Sequence, residues 1–248
     1  MQFGQDYRED LIKRAVHSEQ SYHFQPKGAF PLAGLQTTAD YFGRRHKWRQ
    51  TINTGRSRLP REKLPGGRLG RVLRVPSAVK GRRAHPPKPW KNIVERINVK
   101  EKNYALRSAI SATTNAELVK TRGHAFNAIQ LPVVVEKGFE AINKAKEAKA
   151  ILEKLGFTQD LIRAHERRKM RSGRSRLRKG GYRTPKSILI VIGEDKGIWK
   201  AARNLPGVDV CEVEKLTAEL LAPGGQAGRL TLWTEDAIEK MNKEKLFE

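Results

Sequence analysis

Cysteine is almost absent from this chain: Cys211 stands alone, so no disulfide can form within it, as suits a reducing compartment. It lies in the apolar run Val208–Val213 and reads as a small buried side chain, not a nucleophile. No apolar stretch approaches the ~20 residues that a membrane-spanning helix needs. The start, Met1-Gln2-Phe3-Gly4-Gln5-Asp6, has none of the layout of a signal peptide. Six histidines (His17, His23, His46, His85, His124 and His165) fall at no zinc-ligand spacing. No nucleophile, base and orienting group can be read together. The sequence therefore gives no positive sign of catalysis, of a metal or other cofactor, or of a membrane partner.

Acidic residues are missing from two particular places. From Gly43 to Lys88 there are 15 Lys and Arg against one acid, Glu62. From Arg163 to Arg183 there are 10 against one, Glu166. These two stretches hold all but one of the formal net charge of +24, and the remaining residues are close to neutral. Polycations placed this selectively call for a polyanion, and nucleic acid is the leading candidate.

The near-neutral remainder is long enough to bury a core. Leu11, Ile12, Ala15 and Val16 predict a helix over Tyr7–Gln20, with Asp6, Glu9 and Asp10 at its positive end. Leu106, Ala109 and Ile110 predict another over Lys102–Thr114. Leu131–Val135 reads as a buried strand. Phe139, Ile142, Ala145, Ile151, Leu152 and Leu155 then mark one long amphipathic helix, closed by Gly156 and Phe157. A further helix starts at Thr158. Beyond it strands and helices alternate: strand Ser187–Ile192, helix Asp195–Leu205, strand Val208–Val213, helix Leu216–Leu221, strand Arg229–Trp233, and a last helix capped by Thr234. This pattern predicts an α/β fold, a mostly parallel central sheet flanked by helices, with a long extended basic loop inserted near the N-terminus. The expected organisation is a single α/β globular domain over residues 1–248, the Arg-rich loop 43–88 inserted in it, and a second basic RNA-contacting segment at 163–183.

The loop is sparse in apolar residues and punctuated by Gly and Pro, so no independent fold is expected there. Its expected RNA contacts begin with Arg44, Arg45, Lys47 and Arg49 around Trp48, an aromatic placed to stack on a base. Arg56, Arg58, Arg61, Lys63, Arg68, Arg71 and Arg74 follow, then Lys80, Arg82, Arg83, His85 and Lys88. Arg outnumbers Lys in the loop by 11 to 4, and Arg forks onto phosphate and stacks on bases where Lys is a point charge. In the second segment the expected contacts are Arg167, Arg168, Lys169, Arg171, Arg174, Arg176, Arg178, Lys179 and Arg183. Tyr182 is placed either to stack on a base or to pack at the start of the next strand. Gly67-Arg68-Leu69-Gly70 spells the GxxG of a KH domain without the flanking helices. Gly193-Glu194-Asp195-Lys196-Gly197 is a strand-to-helix turn with an acidic cap, not a nucleotide loop, because its carboxylates would repel phosphate.

Several segments together resemble a known family, the universal large-subunit ribosomal protein four of the archaeal and eukaryotic branch. They are Asp10–Val16, Pro31–Gly34, Lys80–Pro87, Tyr104–Ile110, Leu220–Gly225 and Gly228–Thr234, in the family's order across nearly the whole chain. The resemblance implies a structural component of the large ribosomal subunit, cytoplasmic in ribosomes. It would bind large-subunit ribosomal RNA, support assembly and touch neighbouring ribosomal proteins. It also implies that the basic loop threads through RNA to line the peptide exit tunnel, with its tip, near the nascent polypeptide, between Arg61 and Arg74. The family's leading strand has no counterpart before the first helix here, and the eukaryotic C-terminal extension is absent, which points to an archaeal member.

Two other readings compete. An RNA-processing enzyme with basic arms would need a polar constellation near Gly193–Asp195 or Thr234–Asp236. A DNA-compacting protein would use the same Arg-rich loops but seldom carries a mixed α/β core of this size.

Overall fold

A computed structural model of the protein describes residues 2–43, 50–126 and 129–247. In chain order its elements are α1 (Glu9–Ser21), β1 (Arg61–Lys63), β2 (Leu69–Val72), α2 (Val99–Ala112), α3 (Ala116–Thr121), β3 (Val133–Val135), α4 (Ala145–Lys154) and α5 (Thr158–Glu166). Then come β4 (Lys169–Met170), β5 (Tyr182–Arg183), β6 (Leu189–Ile192), α6 (Ile198–Ala202), β7 (Asp209–Glu212), α7 (Ala218–Leu221), β8 (Thr231–Thr234) and α8 (Glu235–Lys243). The chain divides into two units, Met1–His23 with Val94–Glu248, and Phe24–Ile93.

The larger unit is a four-stranded sheet in the order β3-β8-β6-β7, parallel throughout. The two central strands, β6 and β8, are buried at every position, and since successive side chains point to opposite sides they feed a core layer on each face of the sheet. Leu189 and Val191 join Trp233 in one core layer with Ile12, Val16, Leu106, Ile110, Leu221 and Met241 from the helices. Ile188, Ile190 and Ile192 join Leu230 and Leu232 in the other, with Phe139, Leu152, Phe157, Leu161 and Ile198. This is the α/β fold expected from the sequence. Trp233, fully buried, meets the Phe3 ring edge-on at 5.3 Å, and its indole N–H donates to Thr231 Oγ1 at 3.2 Å.

Local chemistry sets the element ends. Thr234 caps α8 by accepting the Ala237 N–H. After α4 the Phe157 N–H reaches Leu152 O and the Gly156 N–H reaches Glu153 O, with Gly156 at φ +91°, a Schellman ending. The long helix expected from Phe139 is instead a 3-10 turn, Lys137–Ala141, an extended step at Ile142, and then α4. Glu140 is the reason: it turns inward, fully buried, and its Oε1 accepts from Gly193 N–H at 2.8 Å and Thr234 Oγ at 2.7 Å. The helix expected from Asp195 begins only at Ile198, because the Asp195 carboxylate accepts from the Gly197 and Trp199 N–H groups and Gly197 takes φ +133°. Helix α3 was not foreseen; Asn115 caps it through the Glu117 and Leu118 N–H groups. Gln2–Gly4 is a 3-10 turn, not a leading strand. Cys211 is half-buried on the edge strand β7, with its thiol pushed up to about 11 by burial and the neighbouring Glu212. Among the described residues no helix is long and apolar enough to cross a membrane.

The smaller unit holds an antiparallel hairpin, β1 with β2, where the sequence predicted irregular chain. The two arms join at Pro65-Gly66-Gly67, both glycines at positive φ. Its few buried contacts are small: Ala39, Thr51 and Leu73 are buried, and Leu73 N–H donates to Pro60 O at 3.1 Å.

Candidate nucleic-acid interface

In the smaller unit one acid organises several cations. Asp40 takes Arg74 at 2.6 Å and Lys63 at 3.3 Å, and the Lys63 ammonium also lies 4.0 Å from the centre of the Phe42 ring. Arg74 further donates to Ala39 O at 3.1 Å. Arg61 donates to Ser57 Oγ at 2.7 Å and Arg56 to Leu69 O at 3.0 Å. These four brace the hairpin, so part of the charge counted in the sequence holds the loop's own shape. Arg71 is 3.8 Å from Glu62, an exposed and weak pair. Arg58, Arg68, Lys80, Arg82, Arg83, His85 and Lys88 are exposed, with Lys88 5.8 Å from the Trp90 ring centre. The turn at Leu64–Arg68, where Leu64 N–H meets Arg68 O at 3.0 Å, falls within the span Arg61–Arg74.

The foot of this loop is closed by backbone. Ala29 N–H donates to Pro87 O at 3.1 Å. A Cβ on Gly34 would lie 2.7 Å from the Arg82 backbone, and one on Gly81 only 1.9 Å from Val75 O. Both positions need glycine for close approach.

The second basic segment forms a lobe with a narrow neck. Strands β4 and β5 pair antiparallel, Lys169 opposite Arg183 and Met170 opposite Tyr182. Arg171 N–H donates to Gly181 O at 2.8 Å and its Nε to Tyr182 O at 3.0 Å. Two 3-10 turns, Gly173–Leu177 and Lys179–Gly181, complete the lobe. Arg167, Arg168, Lys169, Arg171, Arg174, Arg176, Arg178 and Arg183 are all exposed. Tyr182 is 42% exposed and carries the Arg168 guanidinium 4.2 Å from its ring centre, so one of its faces is already stacked. Arg44, Arg45, Lys47, Trp48 and Arg49 lie outside the described residues, as does the Lys179 side chain.

Below the neck sit buried ionic groups that the sequence did not reveal. Asp160, fully buried on α5, accepts from Ala125 N–H, His124 Nδ1 and Arg163 Nε, and from Ser187 Oγ at 2.7 Å. Arg163 also donates to Lys186 O at 2.8 Å. Its charge is therefore spent inside the fold, tying the chain entering the lobe to the chain leaving it. Burial alone would raise the Asp160 carboxyl, but hydrogen bonds from His124, Ser187 and Arg163 hold it at about 2. Burial pushes His124 below its ordinary value, against the pull of Asp160. Arg229, also fully buried, donates to Ser187 O, Ile188 O, Gly207 O and Leu220 O and pairs with Asp209 at 2.6 Å. Every strong donor in this region thus has an acceptor, which makes the buried charge tolerable. No spacing signalled this cluster, because its members come from positions as far apart as 124 and 229.

The strand ends named for the enzyme reading do meet, around Glu140. Lys137 bridges Asp236 at 2.9 Å and Glu239 at 3.0 Å, and Lys196 is 3.7 Å from both Glu140 and Asp236. The set is a paired ionic network at a helix start. Among the described residues no group of three or more His, Cys, Asp or Glu could hold a metal ion.

Comparison with known proteins bears on the same chain. The pattern of the Ribosomal protein L4/L1 family matches residues 1–244. The chain is 48% identical over 241 residues to large ribosomal subunit protein uL4 of Methanocaldococcus jannaschii, covering 97% of this chain and 90% of that one. It is 47% identical to the uL4 of Methanococcoides burtonii, covering 96% and 89%, and 45% identical to that of Archaeoglobus fulgidus, covering 97% and 90%. The family pattern covers almost the whole chain and the archaeal relatives match it end to end: the chain belongs to the ribosomal protein L4/L1 family.

Proposed function

We propose that this chain fastens itself into the large ribosomal subunit by two basic elements, the loop 43–88 and the lobe 163–183, each bound to ribosomal RNA. Membership of the L4/L1 family makes it a ribosomal protein with a structural, not catalytic, role in cytoplasmic ribosomes, and ribosomal RNA and ribosomal proteins its partners. The observation that carries the reading is the disposition of charge. Acids pair with cations at the feet and braces of both elements, while Arg58, Arg68, Arg82 and Arg83 on one and Arg174, Arg176 and Arg178 on the other are exposed. Such cations displace counterions from RNA and let several RNA segments pack closely.

The hairpin turn at Pro65–Gly67 is the part of the loop that reaches the wall of the peptide exit tunnel and meets the nascent polypeptide. Its bracing by Arg56, Arg61, Lys63 and Arg74 supports this reading, since a wall element must keep its shape. Shortening Arg61–Arg74 tests it: large subunits should still form but with a widened tunnel, seen in density maps of the purified particle. An unchanged tunnel wall would overturn the tunnel role.

A further inference from the structure

A cavity of about 340 Å3 opens beside the neck of the second lobe, walled by Arg168, Thr184, Lys186, Arg203 and the turn Leu205–Asp209. It lies at the amino-terminal edge of the sheet, where β6 and β7 begin, opposite the carboxy-terminal edge at which α/β sheets commonly take ligands. Its turn is fixed in place. Ser187 N–H donates to Gly207 O at 2.8 Å, Gly207 sits at φ +73°, and a Cβ there would lie 2.2 Å from Pro185 O. Leu205, Pro206 and Val208 give this wall an apolar surface.

The charge around the cavity is one-sided. Its one acid, Asp209, is engaged by Arg229 at 2.6 Å and by Lys186 at 2.7 Å, so it does not repel an anion. Arg168 and Arg203 are each stacked on an aromatic ring, Tyr182 at 4.2 Å and Trp199 at 4.3 Å. Stacking holds a guanidinium in place without consuming its N–H donors. Among the described residues neither forms an ion pair.

We propose that this cavity takes one unpaired nucleotide of RNA, its phosphate on Arg168 and Arg203 and its base or ribose against Leu205 and Pro206. The volume is at the lower end of the roughly 300–1,000 Å3 typical of small-ligand sites, the right scale for one extruded nucleotide and too small for a duplex. An acidic side chain of a protein would use the cations but leave the apolar wall idle. The inference rests on the RNA-binding reading of the lobe and adds a subsite to it.

Hydroxyl-radical footprinting of the full-length protein, alone and bound to deproteinised large-subunit RNA, tests it. Oxidation of Leu205 and Pro206 should fall several-fold on binding. In the exposed-residue variants Arg203→Glu and Arg168→Glu that protection should be lost, while protection of the hairpin Arg61–Val72 remains. Leu205 and Pro206 left unprotected beside a protected hairpin would overturn the subsite and leave the RNA-binding reading standing. Protection at neither place would overturn both. Protection of the cavity that survives both charge reversals would show that the two arginines do not hold a phosphate there, and so would also refute the proposal.

Discussion

Asp160→Ala removes the acceptor that four groups share. Asp160 takes the Ala125 N–H, His124, Arg163 and Ser187, and Arg163 is itself only 13% exposed. Deleting one partner of a buried, hydrogen-bonded charge set costs about 3–5 kcal/mol. The lowered carboxyl points the same way. A carboxyl held at about 2 rather than its ordinary 3.8 corresponds to about 2 kcal/mol of folded-state preference for the charged form. Protonation is the milder change, because it leaves the oxygens in place. The sign follows: the contribution is full above the unfolded value near 4 and is lost as pH falls through about 2. His124, lowered by burial, adds a loss that begins as pH falls below about 6.5. Urea denaturation of the free full-length protein, followed by circular dichroism at pH 7, should show Asp160→Ala less stable by about 3–5 kcal/mol and Ser187→Ala by about 1 kcal/mol. A cost for Asp160→Ala below that for Ser187→Ala would refute the claim that the carboxylate is the hub.

Arg229→Met should cost about 3–5 kcal/mol in the same assay, since four carbonyls each lose one donor, Gly207 O and Ile188 O keeping a backbone N–H, and Asp209 keeps only Lys186. Gly81→Ala, which forces a Cβ to within 1.9 Å of Val75 O, should leave the thermal unfolding of the α/β unit unchanged but reduce incorporation into large subunits, measured by quantitative mass spectrometry of the particle. Reversing Arg174, Arg176 and Arg178 together should lower the slope of log K against log salt for binding to large-subunit RNA by about 2, roughly 0.7–0.9 for each phosphate that is no longer neutralised; filter binding over a salt series reads it directly. Cys211, with its thiol near 11, should react with iodoacetamide at pH 8 at least about tenfold more slowly than a free cysteine peptide.

Much of the fold was legible because its signals are local. Ile188–Ile192 is an unbroken aliphatic run, the mark of a doubly buried strand, and Thr234 followed by two acids is a helix start; the structure has the strand over Leu189–Ile192 and the helix from Glu235. The failures have a common physical origin. Phe139 and Ile142 repeat at helical spacing, but Glu140 is drawn inward by Gly193 and Thr234, some 50 and 90 residues away, and the helix breaks. In the basic loop, composition spoke for irregular chain, while Asp40 and two consecutive glycines fold a hairpin into it. The exposed cations were readable by count alone. Which of them brace the fold was not, since Arg163 and Arg174 look alike until Asp160 is brought beside one of them.

Sedimentation of a native lysate through sucrose gradients at moderate and high salt, with detection of this chain, tests most directly whether it is an embedded ribosomal RNA-binding component. It should remain with the large subunit at high salt if, as proposed, the loop 43–88 is threaded between RNA segments and so held by topology as well as by charge. Release from the subunit at moderate salt, or migration as free protein, would contradict that role.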